Sequence, residues 1–160
     1  MKGSKKIVLF DIDNTLFNTL EFKKSNLTKF SLYEEVLDVL VELSKNVDLG
    51  IFSEGVIAFQ EKKLQQTNIE KYFLKEHVHI VPEKIAAIEM LVEKYKNGNE
   101  LYLIDDKLEA LFSVKKHFPS VFTIWIKRGE YAPFQEPLKN FSPDAEVEKL
   151  QEVIPLIVKN

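Results

Sequence analysis

The chain of 160 residues has no cysteine. That absence removes disulfides, thiolate zinc sites and cysteine nucleophiles, and it fits a reducing compartment. Histidine is scarce as well: His77, His79 and His117 show no metal-ligand spacing tied to other polar groups. His77 and His79 alternate along an extended segment, which suits a structural role. No apolar run approaches the ~18 residues that a membrane span needs. The start, Met1-Lys2-Gly3-Ser4-Lys5-Lys6, has a positive flank, but the apolar run behind it breaks at Asp11, too early for a signal peptide. The expectation is a cytoplasmic protein. There is no dominant basic block either. Twenty-two Lys and Arg stand against 25 Asp and Glu, for a net charge of −3, so no strong nucleic-acid signal arises.

What is present is ordinary for a globular domain. The apolar share is 45% and the charged share 29%, and this length supports one domain with a sizeable core, residues 1–160. No internal repeat, linker or low-complexity segment interrupts it. Apolar runs alternate with helical periodicity. Strands are expected at 7–10, 47–52, 78–81, 101–104, 121–126 and 145–147. Helices are expected behind them: a capping box of Ser31 and Glu34 ahead of Val36, Leu37, Leu40 and Leu43, then 56–66, a helix opened by Pro82, one carrying Leu108 and Leu111, and a last one containing Pro155. Strands separated by helices of ten to fifteen residues imply an α/β fold: a Rossmann-like three-layer sandwich, its central sheet mainly parallel and helices on both faces. In such sheets ligands bind beyond the carboxyl ends of the strands.

Polar groups collect at those ends. Phe10-Asp11-Ile12-Asp13-Asn14-Thr15-Leu16-Phe17 places two carboxylates where the first strand runs out. Residues i and i+2 of an extended chain point the same way, about 7 Å apart. Like charges that close call for a cation, a shared proton, or both. The plain alternative is a polar strand exit with Asn14-Thr15 beginning a turn. Ser53-Glu54-Gly55 ends the second strand and could equally cap a helix. Lys84 follows the third strand and, alone, reads as a surface lysine. Asp105-Asp106 ends the fourth and could cap the helix beginning near Leu108. Their joint arrival at one sheet edge argues against four coincidences. Several carboxylates without His or Cys form a hard, oxygen-rich site suited to Mg²⁺. A lysine and a hydroxyl beside it complete a pocket for a phosphoryl group.

The order D-x-D-x-T, Ser after a strand, Lys, then Asp-Asp after another strand resembles the haloacid dehalogenase superfamily in its phosphatase branch. The resemblance runs from about Lys6 to Leu150, with FDIDNTLF and LYLIDDK as its specific signals. It implies a Mg²⁺-dependent phosphomonoester hydrolase. Asp11 would be the nucleophile that forms an aspartyl-phosphate, and Asp13 the general acid and then the base. Mg²⁺ would be held by Asp11, the Asp13 backbone carbonyl and Asp106, with Asp105 supporting it directly or through water. Ser53 would hydrogen-bond a phosphoryl oxygen, with Glu54 beside the same pocket. Lys84 would neutralise phosphate and nucleophile, and Thr15 would steady the turn that carries Asp13. An Asp two residues after the nucleophile can protonate an alkoxide, which argues for phosphate esters over dehalogenation.

Many relatives insert a cap domain; here only 16–30 offers room, and almost none exists between Val81 and Lys84. The chain is therefore expected to be capless, with 16–30 a short flap. An uncovered cleft suits an exposed phosphate on a macromolecule. A small phosphorylated molecule would need closure by oligomerisation or by loops, with 17–29 and 127–143 as candidates. The rival reading from another class is a non-catalytic phospho-ligand or protein-binding module that retains the fold.

Overall fold

The computed structural model describes residues 3–159. Strand β1 (Lys5–Phe10) leads into a short helix α1 (Thr19–Lys24) and then α2 (Val36–Ser44). Strand β2 (Asp48–Glu54) precedes α3 (Ile57–Gln66), and β3 (Val78–Val81) precedes α4 (Ile88–Tyr95). Strand β4 (Asn99–Asp105), helix α5 (Leu108–His117), β5 (Phe122–Ile126), β6 (Ala145–Val147) and α6 (Val153–Val158) complete the order. The six strands form one sheet in the order β3-β2-β1-β4-β5-β6, and every pairing is parallel.

The period of two along each strand divides the core. Val8 and Phe10 of β1 face α2 and α6, packing with Val36, Leu40, Leu43, Val153 and Ile157. Ile7 and Leu9 face the other way, toward Leu91 and Tyr95 of α4 and Leu111 and Val114 of α5. Central strands buried on both sides are what a near-continuous apolar run such as Ile7-Val8-Leu9-Phe10 specifies. The expected three-layer α/β sandwich is therefore present. Among the described residues, no helix is long and apolar enough to cross a membrane.

One expectation fails. The Ser31–Glu34 capping box does not form; α2 begins at Val36 behind Glu35, which makes no side-chain cap. The chain ahead of α2 is held by tertiary contacts. The Ser31 carbonyl accepts the Asn18 N–H at 2.9 Å. The Glu35 carboxylate pairs with Arg128 and also accepts the Leu150 N–H at 3.0 Å. A partly buried ion pair with a backbone bond outweighs a local cap worth about 1 kcal/mol.

At the edge of the sheet, His77 and His79 both contact the buried Tyr95 hydroxyl, through Nδ1 at 2.9 Å and Nε2 at 2.6 Å. Their alternation thus serves packing. Burial, and then Lys94, push the His79 imidazole down to about 4 from its ordinary 6.5. The unfolded chain takes up this proton more readily than the folded one. The stability that His79 contributes is therefore whole above pH ~6.5 and is lost as pH falls through about 4. With solvent screening included, the loss is on the order of 1–2 kcal/mol. Urea melts from pH 7 to 4.5 are expected to show a shallower decline for His79→Gln than for the native chain; identical slopes would remove His79 from the account.

Candidate active site

The carboxyl ends of β1, β2 and β4 open onto a cleft of about 650 Å³ whose lining includes Asp11, Asp13, Glu54, Lys63, Lys84 and Asp106. Asp11 directly follows β1 and extends its ladder, its N–H donating to the Ile104 carbonyl at 2.9 Å. The chain then turns sharply. The Ile12 carbonyl accepts from Thr15, Leu16 and Phe17 at 2.9–3.2 Å, and Asn14 takes a left-handed φ of 61°. Asn tolerates that conformation better than most residues. Gly129, at φ 82°, presses on this turn so closely that a Cβ there would lie 2.6 Å from the Asn14 side chain. Beside it Arg128 donates to the Thr15 carbonyl, pairs with Glu35 and stacks on Tyr33 at 3.8 Å. Arg128 is thus a partly buried strut behind the turn, although the loop 127–143 reads as a surface loop in the sequence.

Lys84 unites the acidic groups. Its ammonium donates to Asp11 Oδ1 at 3.0 Å and to Asp105 Oδ2 at 2.6 Å. Burial alone would lower the Lys84 pKa, but the Asp105 and Asp11 charges more than reverse this and hold it well above its ordinary value. The other Asp105 oxygen accepts the Lys107 N–H at 2.9 Å, so both oxygens of this fully buried carboxylate are engaged. Asp106 differs. Neither of its carboxylate oxygens has a hydrogen-bond partner among the described residues, although the side chain is buried. Its backbone carbonyl is clamped by Trp125 Nε1 at 3.0 Å and Gln135 Nε2 at 2.7 Å, which fixes where the carboxylate sits. Burial, and then the Asp11 charge, raise the Asp106 pKa far above the usual carboxylate range. Burial and Asp105 raise that of Asp11 against the opposing pull of Lys84.

Oxygens of Asp11, Asp105 and Asp106 lie within 4.8 Å of one another, a group able to hold a metal ion. The donor set is all oxygen, and two of its buried oxygens are orphaned, which fits a hard cation such as Mg²⁺. Asp105, with both oxygens already used, serves first as the counter-charge of Lys84.

Ser53 lies within β2, not at a helix cap, and its hydroxyl accepts from Gln60 Nε2 at 2.8 Å. It is buried and does not line the cleft. The Glu54 carboxylate accepts the Lys84 N–H at 3.1 Å, tying the ends of β2 and β3 together. The buried Thr15 hydroxyl has no partner among the described residues; it is the residue's carbonyl that is held. Asp13 is gripped by side chains that the motif order did not single out: Lys63 at 2.7 Å and Thr19 at 3.0 Å on Oδ1, and Gln60 at 3.0 Å on Oδ2. The segment 16–30 is anchored, with Phe22 buried against Phe17 at 5.3 Å and Phe30 at 4.9 Å between ring centres. Lys23 reaches from it to Glu130 across the mouth of the cleft.

No protein-family model matches the chain. Over 141 residues, 86% of this chain, it is 30% identical to a phosphomannomutase of Arabidopsis thaliana, and it spans about half (50%) of that protein's length. Among solved structures, a haloacid dehalogenase-like protein of Burkholderia xenovorans superposes at TM-score 0.78 with 18% identity, over 98% of both chains. The haloacid dehalogenase-like SP0104 of Streptococcus pneumoniae superposes at 0.71 with 16% identity, over 98% of this chain and 99% of its own. This is the haloacid dehalogenase-like fold. A third protein of that fold, YfnB of Bacillus subtilis, superposes at 0.72 with 14% identity, over 98% of this chain and 99% of its own; it was solved bound to magnesium. Among the residues singled out in the sequence, Asp11, Asp13, Lys84 and Asp106 line one cleft, and Ser53 and Asp105 do not.

Proposed function

We propose that this protein is a capless, Mg²⁺-dependent phosphomonoester hydrolase, with Asp11 as nucleophile and Asp13 as general acid and base. The observation that carries this reading is the Lys84 bridge from Asp11 to Asp105 beside the Asp106 carboxylate, which has no hydrogen-bond partner among the described residues. A bare carboxylate repels a phosphate dianion; here one ammonium already offsets that repulsion, and an oxygen-lined hole is ready for a second cation.

The substrate phosphoryl group enters against Lys84; the Ser53 hydroxyl, buried outside the cleft lining, accepts from Gln60 and keeps its own proton to donate elsewhere. An Asp11 carboxylate oxygen attacks phosphorus, and the bond to the leaving oxygen breaks as the new one forms. Asp13 gives its proton to that leaving oxygen. It then takes a proton from water, whose oxygen attacks phosphorus, releases inorganic phosphate and restores the Asp11 carboxylate. Asp11, Asp106 and the Asp13 carbonyl would hold Mg²⁺, which when bound screens charge on the phosphoryl oxygens. Glu54 stays beside the substrate and holds the Lys84 backbone in place.

A second reading is favoured by the phosphomannomutase relative: the aspartyl-phosphate passes to another substrate hydroxyl instead of water. The absence of a cap domain in the short connectors speaks for water, because transfer needs solvent kept out. p-Nitrophenyl phosphate is expected to be hydrolysed with added Mg²⁺, with inorganic phosphate released in step with the phenol. Chelator should abolish turnover and Mg²⁺ restore it. Absence of turnover across a broad panel of phosphomonoesters would leave the non-catalytic binding module as the better account. Isomerised phosphate esters without phosphate release would select the transferase.

A further inference from the structure

We propose that Lys63 and Gln60 are positioning residues that fix the Asp13 carboxylate and leave Oδ2 as the oxygen that carries the transferred proton. The proposal rests on the phosphatase reading above.

Gln60 and Lys63 stand three residues apart on α3, hence on one face. Both are buried: Gln60 is 2% and Lys63 4% exposed. A lysine taken out of water costs several kcal/mol unless its charge is matched. Packing alone offers no reason for one here, where an aliphatic side chain would fill the same space. Its ammonium lies 4.5 Å from the centre of the Phe59 ring and 5.2 Å from that of Phe17, and its hydrogen-bond partner is Asp13 Oδ1 at 2.7 Å. Rings and carboxylate together hold the lysine in one place, and the lysine in turn holds Asp13.

Each carboxylate oxygen has two lone pairs. On Asp13 Oδ1 both are used, by Lys63 and by the Thr19 hydroxyl at 3.0 Å. Among the described residues Oδ2 accepts only from Gln60, at 3.0 Å, and so keeps one lone pair for a proton. The same Gln60 amide nitrogen donates to the Ser53 hydroxyl at 2.8 Å. One side chain therefore joins the acid to the buried Ser53 hydroxyl, and the distance between them cannot change without breaking a bond to Gln60. The three donors come from α1 and α3, so the orientation of Asp13 is imposed by the fold and not by the local turn alone.

The test uses Lys63→Met, which keeps the aliphatic stem, Lys63→Arg, and Gln60→Leu as an independent variant. With an alkyl phosphate, whose leaving oxygen needs the proton, kcat is expected to fall about 10- to 100-fold in Lys63→Met and in Gln60→Leu, with KM within about twofold. With p-nitrophenyl phosphate the first-turnover release of p-nitrophenol should slow by no more than about threefold, since that leaving group departs unprotonated, whereas steady-state turnover falls as well because Asp13 also serves as the base toward water. Lys63→Arg should recover much of the loss, and Lys63→Met should cost little more in an Asp13→Asn background. Crystal structures of the variants give a readout independent of turnover: the Asp13 carboxylate should leave the position it occupies in the native chain. Equal losses on both substrates in the first turnover, before the aspartyl-phosphate is hydrolysed, or Asp13 unmoved in both variants, would overturn the proposal. A native protein that turns over no phosphomonoester, with Asp13 displaced in the variants, would remove the phosphatase reading and support the positioning role.

Discussion

Asp11→Asn is expected to lower turnover by at least about 10⁴-fold while the fold survives. Losses of that size follow when a nucleophile is deleted and only binding and electrostatic stabilisation remain. The amide is nearly the same shape as the carboxylate but has no anionic oxygen to attack phosphorus. The backbone around it should not move, because the Asp11 N–H still donates to Ile104 at 2.9 Å. Lys84 loses the charge of one of its two partners, whose amide oxygen can still accept, and keeps Asp105 at 2.6 Å. One of three crowded acids also becomes neutral, so the melting temperature should stay within a few degrees of the native value. Initial rates with p-nitrophenyl phosphate and thermal melts on the same preparations give both quantities. Mass spectrometry of rapidly quenched native protein should show a phosphoryl group on the peptide that contains Asp11. Turnover in Asp11→Asn within tenfold of the native rate would transfer the nucleophile to another residue, and the Asp13 assignment would fall with it.

How far the sequence reveals this site depends on where each residue is held. Asp11, Lys84, Asp105 and Asp106 follow buried parallel strands or open the segment behind one, and a run such as Leu101-Tyr102-Leu103-Ile104 announces the strand while the acids announce its end. The sheet rule then places them together. Asp13 is legible as part of the motif, but its surroundings are not. Gln60 and Lys63 belong to a helix with the polar sequence Gln60-Glu61-Lys62-Lys63, which reads as a solvated face, and nothing in that run tells Lys63 from Lys62. The available signal is spacing: Gln60 and Lys63 are the polar residues in step with buried Leu64 on the inward side of α3. Arg128 and Gln135 lie in a loop whose composition looks exposed, yet one braces the Thr15 carbonyl and the other the Asp106 carbonyl. Contacts across more than 100 and 29 residues leave no local trace. The failed capping box at Ser31 and Glu34 has the same origin, since Glu35 answers to Arg128 from the far end of the chain.

Asp106→Asn is expected to raise the melting temperature of the metal-free protein and to abolish its response to Mg²⁺. In the absence of metal the buried Asp106 carboxylate accepts no hydrogen bond from the described residues, and burial, the Asp11 charge and a hydrogen bond to Asp11 all favour its protonated form. The folded chain therefore holds a proton that the unfolded chain gives up. The stability contributed by that proton is whole below the ordinary carboxylate pKa and is lost as pH rises toward the raised folded value. An Asn in its place has no charge to bury, and its amide can donate to Asp11. Relief of about 1–2 kcal/mol corresponds to roughly 2–8 °C for a chain of this size. Mg²⁺ at about 100 times its dissociation constant should add about 2.7 kcal/mol to the native protein, on the order of 5–10 °C. The variant has lost an anionic ligand and should gain little. Differential scanning calorimetry of both proteins, with chelator and with Mg²⁺, reads the two effects separately. The variant should also show a flatter dependence of stability on pH between about 5 and 8 in chelator, because the group whose charging costs stability is gone. A metal-free variant less stable than the native chain would mean that the Asp106 carboxylate is satisfied within the fold. An undiminished Mg²⁺ shift would place the cation elsewhere. The two failures point to different errors, one in the electrostatics of the acidic cluster and the other in the choice of ligand.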